Sequence, residues 1–146
     1  MRSIYFKLIS FFISMYLILC LIMYLNQESF IFHPLKINKE TNYIYQNSFK
    51  EIAIKTTDGA TISNLYFEAE NPKGVVYFLH GNAGNLATWG DVAPIYLQLG
   101  YNVFITDYRG FGKSDGTITD QSQLFSDAQL GYDFLKKNLK KMILLL

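Results

Sequence analysis

The sequence predicts an α/β fold, in which an apolar N-terminal helix precedes a sheet that is mostly parallel. From residue 75 onward, candidate strands and helices alternate, which is typical of a parallel sheet with right-handed crossovers. Before that point, two candidate strands are joined through Asp58-Gly59, a turn pair that favours a β-hairpin at the margin of the sheet. Residues 8–25 contain no charged side chain, which indicates a helix placed in a membrane.

The composition limits the functions that the chain can have. With 146 residues and a net charge of +1, it is predicted to hold one domain and to bind no nucleic acid. Its single cysteine, Cys20, excludes an internal disulfide. A lipoprotein signal would place a small residue before that cysteine, but Leu19 stands there, so lipidation is not expected. The sequence contains no cofactor motif and no metal-binding motif, so neither group is expected.

The apolar run at residues 8–25 is predicted to be an uncleaved signal anchor, with the lipid bilayer as its partner. A helix of this length spans roughly 27 Å, close to the roughly 30 Å of hydrocarbon in a bilayer. Arg2 and Lys7 precede the run and Glu28 follows it. The positive-inside rule then places the N-terminus in the cytoplasm and the rest on the periplasmic, extracellular or lumenal side. The alternative is a cleaved signal peptide, which usually has a shorter apolar region and a small-x-small cleavage site.

Strands are predicted at residues 51–56, 61–68, 75–79, 101–106 and 142–146. The third and the last are short apolar runs, which indicate strands buried on both faces. His33, which precedes a proline in the segment before these strands, is expected to be structural or solvated. Trp89 is expected to be a packing residue.

Two helices are predicted between the later strands. Asp91 is expected to cap the first, with Pro94 in its first turn and Gly100 at its end. Thr119 or Asp120 is expected to cap the second helix. The last turns of that helix carry lysines at positions 136, 137, 140 and 141, which suits the negative end of a helix dipole.

The loop at residues 107–116 matches parts of three known motifs. Its end, Gly-Lys-Ser-Asp-Gly, has the G-x-S-x-G pattern of a nucleophile elbow, but the preceding strand is predicted to end several residues before Ser114. A phosphate-binding loop would need a glycine at the position of Asp107, and a dinucleotide fingerprint would need one at Asp115. We therefore expect a tight structural loop in which Ser114 is not a nucleophile.

The strand at residues 75–79 runs directly into the segment His80-Gly81-Asn82-Ala83-Gly84-Asn85. Glycine is typical of positions where the backbone takes a positive φ or lies close to another group. A strand that ends in such a loop is a usual place for a ligand site. His80 is predicted to hydrogen-bond the loop backbone and hold its shape, with general-base catalysis as the alternative.

Together, the two loops resemble those of the α/β-hydrolase superfamily. H-G-N-A-G-N at residues 80–85 follows one strand, and D-Y-R-G-F-G-K-S-D-G at residues 107–116 follows the next, with a helix between them. The chain is most similar to the membrane-anchored branch of α/β-hydrolase-domain proteins, which carry an H-G-N-x-G-N loop behind an apolar anchor. The resemblance covers residues 30–146 and the anchor. It implies a transmembrane helix followed by the first half of an α/β-hydrolase fold, a β-hairpin and then β-α-β-α-β, truncated after the fifth strand.

The resemblance also implies a role for the first loop. In this family the loop after the third strand supplies a backbone N–H to the oxyanion hole, which stabilises the negative oxygen formed when an acyl carbon is attacked. By position, Asn82 or Ala83 would donate that N–H. The supporting loop residues would be His80, Gly81, Gly84 and Asn85.

The family's catalytic serine, acid and histidine follow the fifth strand in that order, which would place all three beyond residue 146. The resemblance therefore implies the N-terminal fragment of a membrane-anchored serine hydrolase, esterase- or peptidase-like, that is inactive by itself. It would act on a small acyl substrate only if the missing C-terminal half were supplied. The alternative is a short membrane-anchored protein that binds or assembles without catalysis. The predicted organisation is a signal anchor at 1–28, a connector at 29–49 and the N-terminal part of the hydrolase domain at 50–146.

Overall fold

The computed structural model describes residues 2–138 and 143–145, and these divide into two compact units, with the boundary in sequence between Phe32 and His33. The first unit contains helix α1 (Arg2–Leu25) and the short helix α2 (Gln27–Ile31). Within α1, Ser3–Leu25 has a mean hydropathy of 2.5 and no buried side chains. A helix that is apolar on all sides and unburied in its own protein has the length and composition of a membrane span or a signal sequence.

The second unit is built on two sheets. Its strands are β1 (His33–Pro34), β2 (Phe49–Lys55), β3 (Thr61–Phe67), β4 (Gly74–Leu79), β5 (Ala83–Gly84), β6 (Tyr101–Thr106) and β7 (Ile143–Leu145). In the described part of the chain, the larger sheet has the order β2-β3-β6-β4-β7. The β2–β3 and β3–β6 pairs are antiparallel, whereas β4 is parallel to both β6 and β7. The predicted hairpin followed by a parallel α/β sheet is therefore confirmed.

The crossover from β4 to β6 consists of short helical pieces rather than one helix. They are α3 (Leu86–Trp89), a 3-10 turn (Gly90–Val92) and α4 (Ala93–Gln98). The predicted cap at Asp91 is wrong, because Asp91 lies inside the 3-10 turn and Asn85 caps α3 by accepting the Ala87 N–H. Pro94 lies in the first turn of α4 as predicted, and Gly100 follows its end with φ +81°.

Helix α5 (Gln121–Asn138) follows β6 and the loop after it. The predicted cap at Asp120 is confirmed, because its Oδ1 accepts the Gln123 N–H at 2.9 Å. The last turn carries Lys136 and Lys137. The predicted lysines at 140 and 141, and residues 142 and 146 of the predicted last strand, lie outside the described residues.

The sheet has an apolar cluster on each face because alternate side chains of a strand point to opposite sides. Leu65 and Phe67 of β3 pack on one side, with Leu86 and Ala93 of the crossover. Tyr66, between them in sequence, packs on the other side. Its partners there are Val75, Tyr77, Phe104 and Leu135. Helices therefore cover both faces, and the carboxyl ends of β4 and β6 meet at one edge.

Candidate active site

The register of β4 and β6 brings two polar residues together at the carboxyl edge of the sheet. Leu79 is paired with Thr106, so His80 and Asp107, which follow them, leave neighbouring strands side by side. His80 Nε2 lies 3.1 Å from Asp107 Oδ1, and neither side chain has any exposed surface. The first loop of the predicted site thus begins on a buried imidazole–carboxylate pair.

The backbone and ring of His80 are fixed from several directions. Its Nδ1 lies 2.7 Å from the carbonyl oxygen of Gly81. The hydroxyl of Tyr108 donates to the carbonyl oxygen of His80 at 2.7 Å. The imidazole is stacked on the indole of Trp89, with ring centroids 5.9 Å apart and planes 11° from parallel. His80 therefore holds the loop through its side chain and is held in turn by two aromatic residues.

Three consecutive carbonyl groups of this loop accept hydrogen bonds from three different parts of the second unit. Gly81 O faces His80 Nδ1, Asn82 O accepts the backbone N–H of His33 at 2.8 Å, and Ala83 O accepts the Trp89 indole N–H at 2.9 Å. A trans peptide is planar, with its C=O and N–H pointing in opposite directions. Fixing these carbonyls therefore fixes where the N–H groups of Asn82, Ala83 and Gly84 point.

Asn82 and Ala83, the two predicted oxyanion donors, lie on the solvent-exposed part of the loop. Donors that are already oriented before a substrate binds stabilise a developing charge without a reorganisation cost. The loop is thus exposed where a substrate would meet it and fixed at its carbonyl groups.

The glycines of the loop make room for Trp89. A Cβ built on Gly81 or on Gly84 would lie 3.2 Å from an atom of the indole. Gly84 also has φ +82°, a conformation that side-chain-bearing residues rarely adopt. Both glycines thus allow the ring to lie against the loop, and Gly84 allows the sharp turn as well.

Asp107 is buried and its two oxygens have different surroundings. Oδ1 accepts the Leu86 N–H at 3.0 Å as well as facing His80. Oδ2 has no hydrogen-bond partner among the described residues, and a Cβ on Gly112 would overlap it. Burial raises the pKa of Asp107, while the hydrogen bond with His80 acts in the opposite direction.

A short segment before the hairpin connects the two loops of the site. β1 is parallel to β5 in the first loop. Directly after β1, Leu35 O accepts both the Asn85 side-chain amide at 2.8 Å and the Gly112 N–H at 3.0 Å. Residues 33–37 are therefore part of the site's framework.

Ser114 is placed as a structural residue. Its Oγ accepts the Ser63 N–H at 2.9 Å and lies 3.3 Å from Asp107 O, and the residue is only 3% exposed. The imidazole of His80 directs both nitrogens to other groups. Ser114 therefore lacks the base and the access that a nucleophile requires.

Among the described residues, no cluster of three or more His, Cys, Asp or Glu side chains is placed to hold a metal ion. This edge of the sheet presents the exposed loop at Asn82 and Ala83, with the buried His80–Asp107 pair behind it.

Three contributors to the site are absent from the sequence-based prediction. The sequence places Asp107 at the start of the second loop but predicts no contact with His80, although its position directly after a parallel neighbour of β4 could have indicated that contact. Trp89 was expected to pack, and it also donates a hydrogen bond to the loop. The backbone contact of His33 has no sequence signal, because residues 29–45 show no periodicity.

The strand order, the parallel β4–β6 pair and the loops at its carboxyl edge define the α/β-hydrolase fold. The serine aminopeptidase S33 family (Hydrolase_4) matches residues 70–146. The chain therefore belongs to this family of α/β-hydrolases.

Individual relatives support the assignment. The protein bem46 of Schizosaccharomyces pombe is 31% identical over 105 residues, which are 69% of this chain and 35% of bem46. Lysophosphatidylserine lipase ABHD12 of Danio rerio is 35% identical over 77 residues, 50% of this chain and 19% of that protein. A structure of the Pyrococcus furiosus esterase Pf2001 superposes with a TM-score of 0.60 and 26% identity, over 73% of this chain and 44% of that one. The matched part of the chain thus spans less than half the length of each of these proteins.

Proposed function

We propose that this chain provides the oxyanion-stabilising part of a serine-hydrolase active site. The observation that carries the proposal is the exposed loop at Asn82 and Ala83, whose peptide groups are oriented by three separate hydrogen bonds. In the proposed reaction, a serine hydroxyl attacks the acyl carbon of a substrate and the carbonyl oxygen becomes negative. The N–H of Asn82 or Ala83 stabilises that oxygen, and water later releases the acyl group from the serine.

The proposed substrate is an ester or amide of a small acyl group. The related proteins include an esterase, a lipase and a family described as serine aminopeptidases, and all three names imply attack on an acyl carbon. Ser114 and His80 are engaged in structural hydrogen bonds. The proposal therefore assigns the nucleophile, acid and catalytic histidine to sequence other than the residues described here, and it assigns no turnover to this chain alone.

Two experiments with the full chain in detergent micelles test this assignment. The chain should not react with a serine-directed fluorophosphonate probe, and it should not hydrolyse p-nitrophenyl butyrate above the buffer rate. A fusion of this chain to the part of bem46 that follows the matched region should restore both reactions. Labelling of the unfused chain that disappears in Ser114→Ala would contradict the proposal. A correctly folded fusion that stays inert would favour a non-catalytic binding or assembly role.

We also propose that residues 8–25, within the apolar helix Ser3–Leu25, anchor the chain in a membrane with its N-terminus in the cytoplasm. The support is the length and apolar character of the helix, together with the basic residues before the run. An uncleaved anchor should leave a membrane-bound product of full-length mass that resists alkaline extraction. A shorter, extractable product would identify a cleaved signal peptide. Substituting Arg2 and Lys7 by glutamate should weaken or invert the orientation, as read by a protease-accessible tag at the C-terminus.

A further inference from the structure

The hydrogen bonds of His80 require more protons than a neutral imidazole carries. Nδ1 faces the carbonyl oxygen of Gly81 at 2.7 Å, and a carbonyl can only accept, so Nδ1 must carry a proton. Nε2 faces Asp107 Oδ1 at 3.1 Å, and that oxygen already accepts the Leu86 N–H. A neutral imidazole has one N–H. A second proton must therefore lie between Nε2 and Oδ1.

We propose that His80 and Asp107 are positioning residues that share one buried proton, and that this proton sets the orientation of the Gly81–Asn82 peptide. The N–H of that peptide belongs to Asn82, one of the two oxyanion donors, so the functional meaning of the inference rests on the proposed function. The hydrogen bonds of the pair are independent of that proposed function. Both side chains are fully buried, so bulk solvent does not compensate for the loss of the shared proton.

Loss of the shared proton leaves two arrangements, and both are repulsive. If the remaining proton stays on Nδ1, the Nε2 lone pair faces a buried carboxylate. If it moves to Nε2, the Nδ1 lone pair faces the carbonyl oxygen of Gly81. The first arrangement leaves a buried negative charge without a compensating proton. The second arrangement is relieved by a rotation of the Gly81–Asn82 peptide, which lies on the exposed loop. The loop is therefore the part that changes.

The groups packed around the pair do not replace the proton. The titratable ones are Tyr43, Tyr45 and Tyr108, and burial raises the pKa of all three phenols, that of Tyr108 to about 12. They stay neutral while an imidazole or a carboxyl group titrates. Lys113 lies over the ring of Tyr43 and pairs with Glu51 at 2.7 Å. The remaining rings against His80 are those of Trp89 and Phe111, which do not ionise.

Trp89 is the only tryptophan of the chain and reports directly on this change. It is stacked on His80 and donates to Ala83 O, so its emission responds to the charge of the imidazole and to movement of the loop. In the full chain in micelles, we expect one transition in Trp89 emission when a rise in pH removes the shared proton from the His80–Asp107 pair.

Substitution of the carboxylate tests the shared proton. Asp107→Asn keeps an oxygen for the Leu86 N–H and removes the negative charge that favours the protonated pair, so the transition should move to lower pH by about 1–3 units. His33→Gln removes the only other histidine side chain and should leave the transition in place. A transition that moves with His33→Gln but not with Asp107→Asn would overturn the proposal.

The tautomer of His80 can be read without any variant. In ¹⁵N-labelled wild-type chain at a pH below the transition, Nδ1 should be protonated, and the proton between Nε2 and Asp107 should give a strongly downfield ¹H signal. A neutral imidazole protonated only at Nε2 would overturn the inference. These measurements involve no turnover. If the proton is found and the fusion to the bem46 segment is inert, the positioning pair stands and the proposed function fails. If the proton is not found and the fusion is active, the proposed function stands and the positioning pair fails.

Discussion

Arg109 and Asp127 form a bidentate ion pair that joins the loop after β6 to helix α5. Nε of Arg109 lies 2.6 Å from Asp127 Oδ2, and Nη2 lies 3.0 Å from Asp127 Oδ1. The same guanidinium also binds both oxygens of Asp58 in the hairpin turn, at 2.6 and 2.9 Å. One arginine thus connects three elements around the loop that carries Asp107. The pKa of the Asp58 carboxyl is held well below its usual value, chiefly by Arg109.

The two carboxylates on Arg109 should contribute very differently to stability. The Arg109 and Asp127 side chains are 7% and 9% exposed, whereas that of Asp58 is 57% exposed. Asp127→Asn leaves a buried guanidinium without its buried counter-charge and should lower the free energy of unfolding by about 3 kcal/mol. Asp58→Asn should lower it much less, because the Asp58 carboxylate is exposed and its interaction with Arg109 is screened by solvent. Urea titrations of both variants at pH 7, followed by circular dichroism, check this, and equal losses would contradict it.

The buried phenols should make the fold sensitive to alkali. Burial raises the pKa of Tyr77 to about 12 and that of Tyr108 to about 12, against about 10 in an unfolded chain. A group with a raised pKa supports the fold fully below its unfolded pKa and loses that support as the pH rises towards its folded pKa. A fully buried phenol should therefore cost about 1.4 kcal/mol of stability per pH unit between 10 and 12.

Tyr77 offers the sharper test, since it is only 2% exposed. Urea midpoints measured from pH 9 to 12 should fall less steeply for Tyr77→Phe than for the wild type. Tyr101→Phe, at a partly exposed position, is the matched control for removal of a phenol hydroxyl. Parallel slopes for the wild type and Tyr77→Phe would show that this phenol is not protected in the folded state.

The sheet was predictable from the sequence, and the start of its first crossover was not. Alternation of apolar residues and the Asp-Gly turn define the strands locally. Asn85 and Asp91 are both good N-cap residues, and local preference does not choose between them. Asn85 is fixed by the bond of its side chain to Leu35 O, a contact across 50 positions of sequence. That contact belongs to a segment without any periodic pattern.

The site shows the same division. The positions of Asn82 and Ala83 followed from a motif, because the loop sequence and its place after a buried strand are local features. The contact of Asp107 with His80 depends on the register that pairs Leu79 with Thr106, and His33 reaches the loop only through its backbone N–H. Long-range contacts of this kind leave little trace in a single sequence.

Gly81 and Gly84 should tolerate alanine to different degrees. An added Cβ meets the Trp89 indole at 3.2 Å in each case, so both variants require the ring to shift slightly. Only Gly84 has a positive φ, +82°, which adds about 1–2 kcal/mol for a residue with a side chain. Gly84→Ala should therefore be less stable than Gly81→Ala by about 1 kcal/mol in urea titrations. Equal losses would mean that contact with Trp89, rather than backbone strain, decides both.

The last prediction concerns which peptide of the loop stabilises an oxyanion. The Gly81–Asn82 peptide is held by the buried ring of His80, whereas the Asn82–Ala83 peptide is held by the backbone of the exposed strand β1. A donor aimed by buried groups is the better preorganised one. In the fusion to the bem46 segment, Asn82→Pro removes that N–H and should lower kcat about 10²–10³-fold, with KM little changed.

Two further variants of the fusion separate the N–H from other effects of the proline. Ala83→Pro introduces the same ring one position later and should cost less than tenfold in kcat, while Asn82→Ala keeps the N–H and should stay near the wild-type rate. A large loss in Asn82→Ala would assign the effect to the side chain. A larger loss in Ala83→Pro than in Asn82→Pro would move the donor to Ala83, and His80 would then orient a peptide that does not contact the substrate.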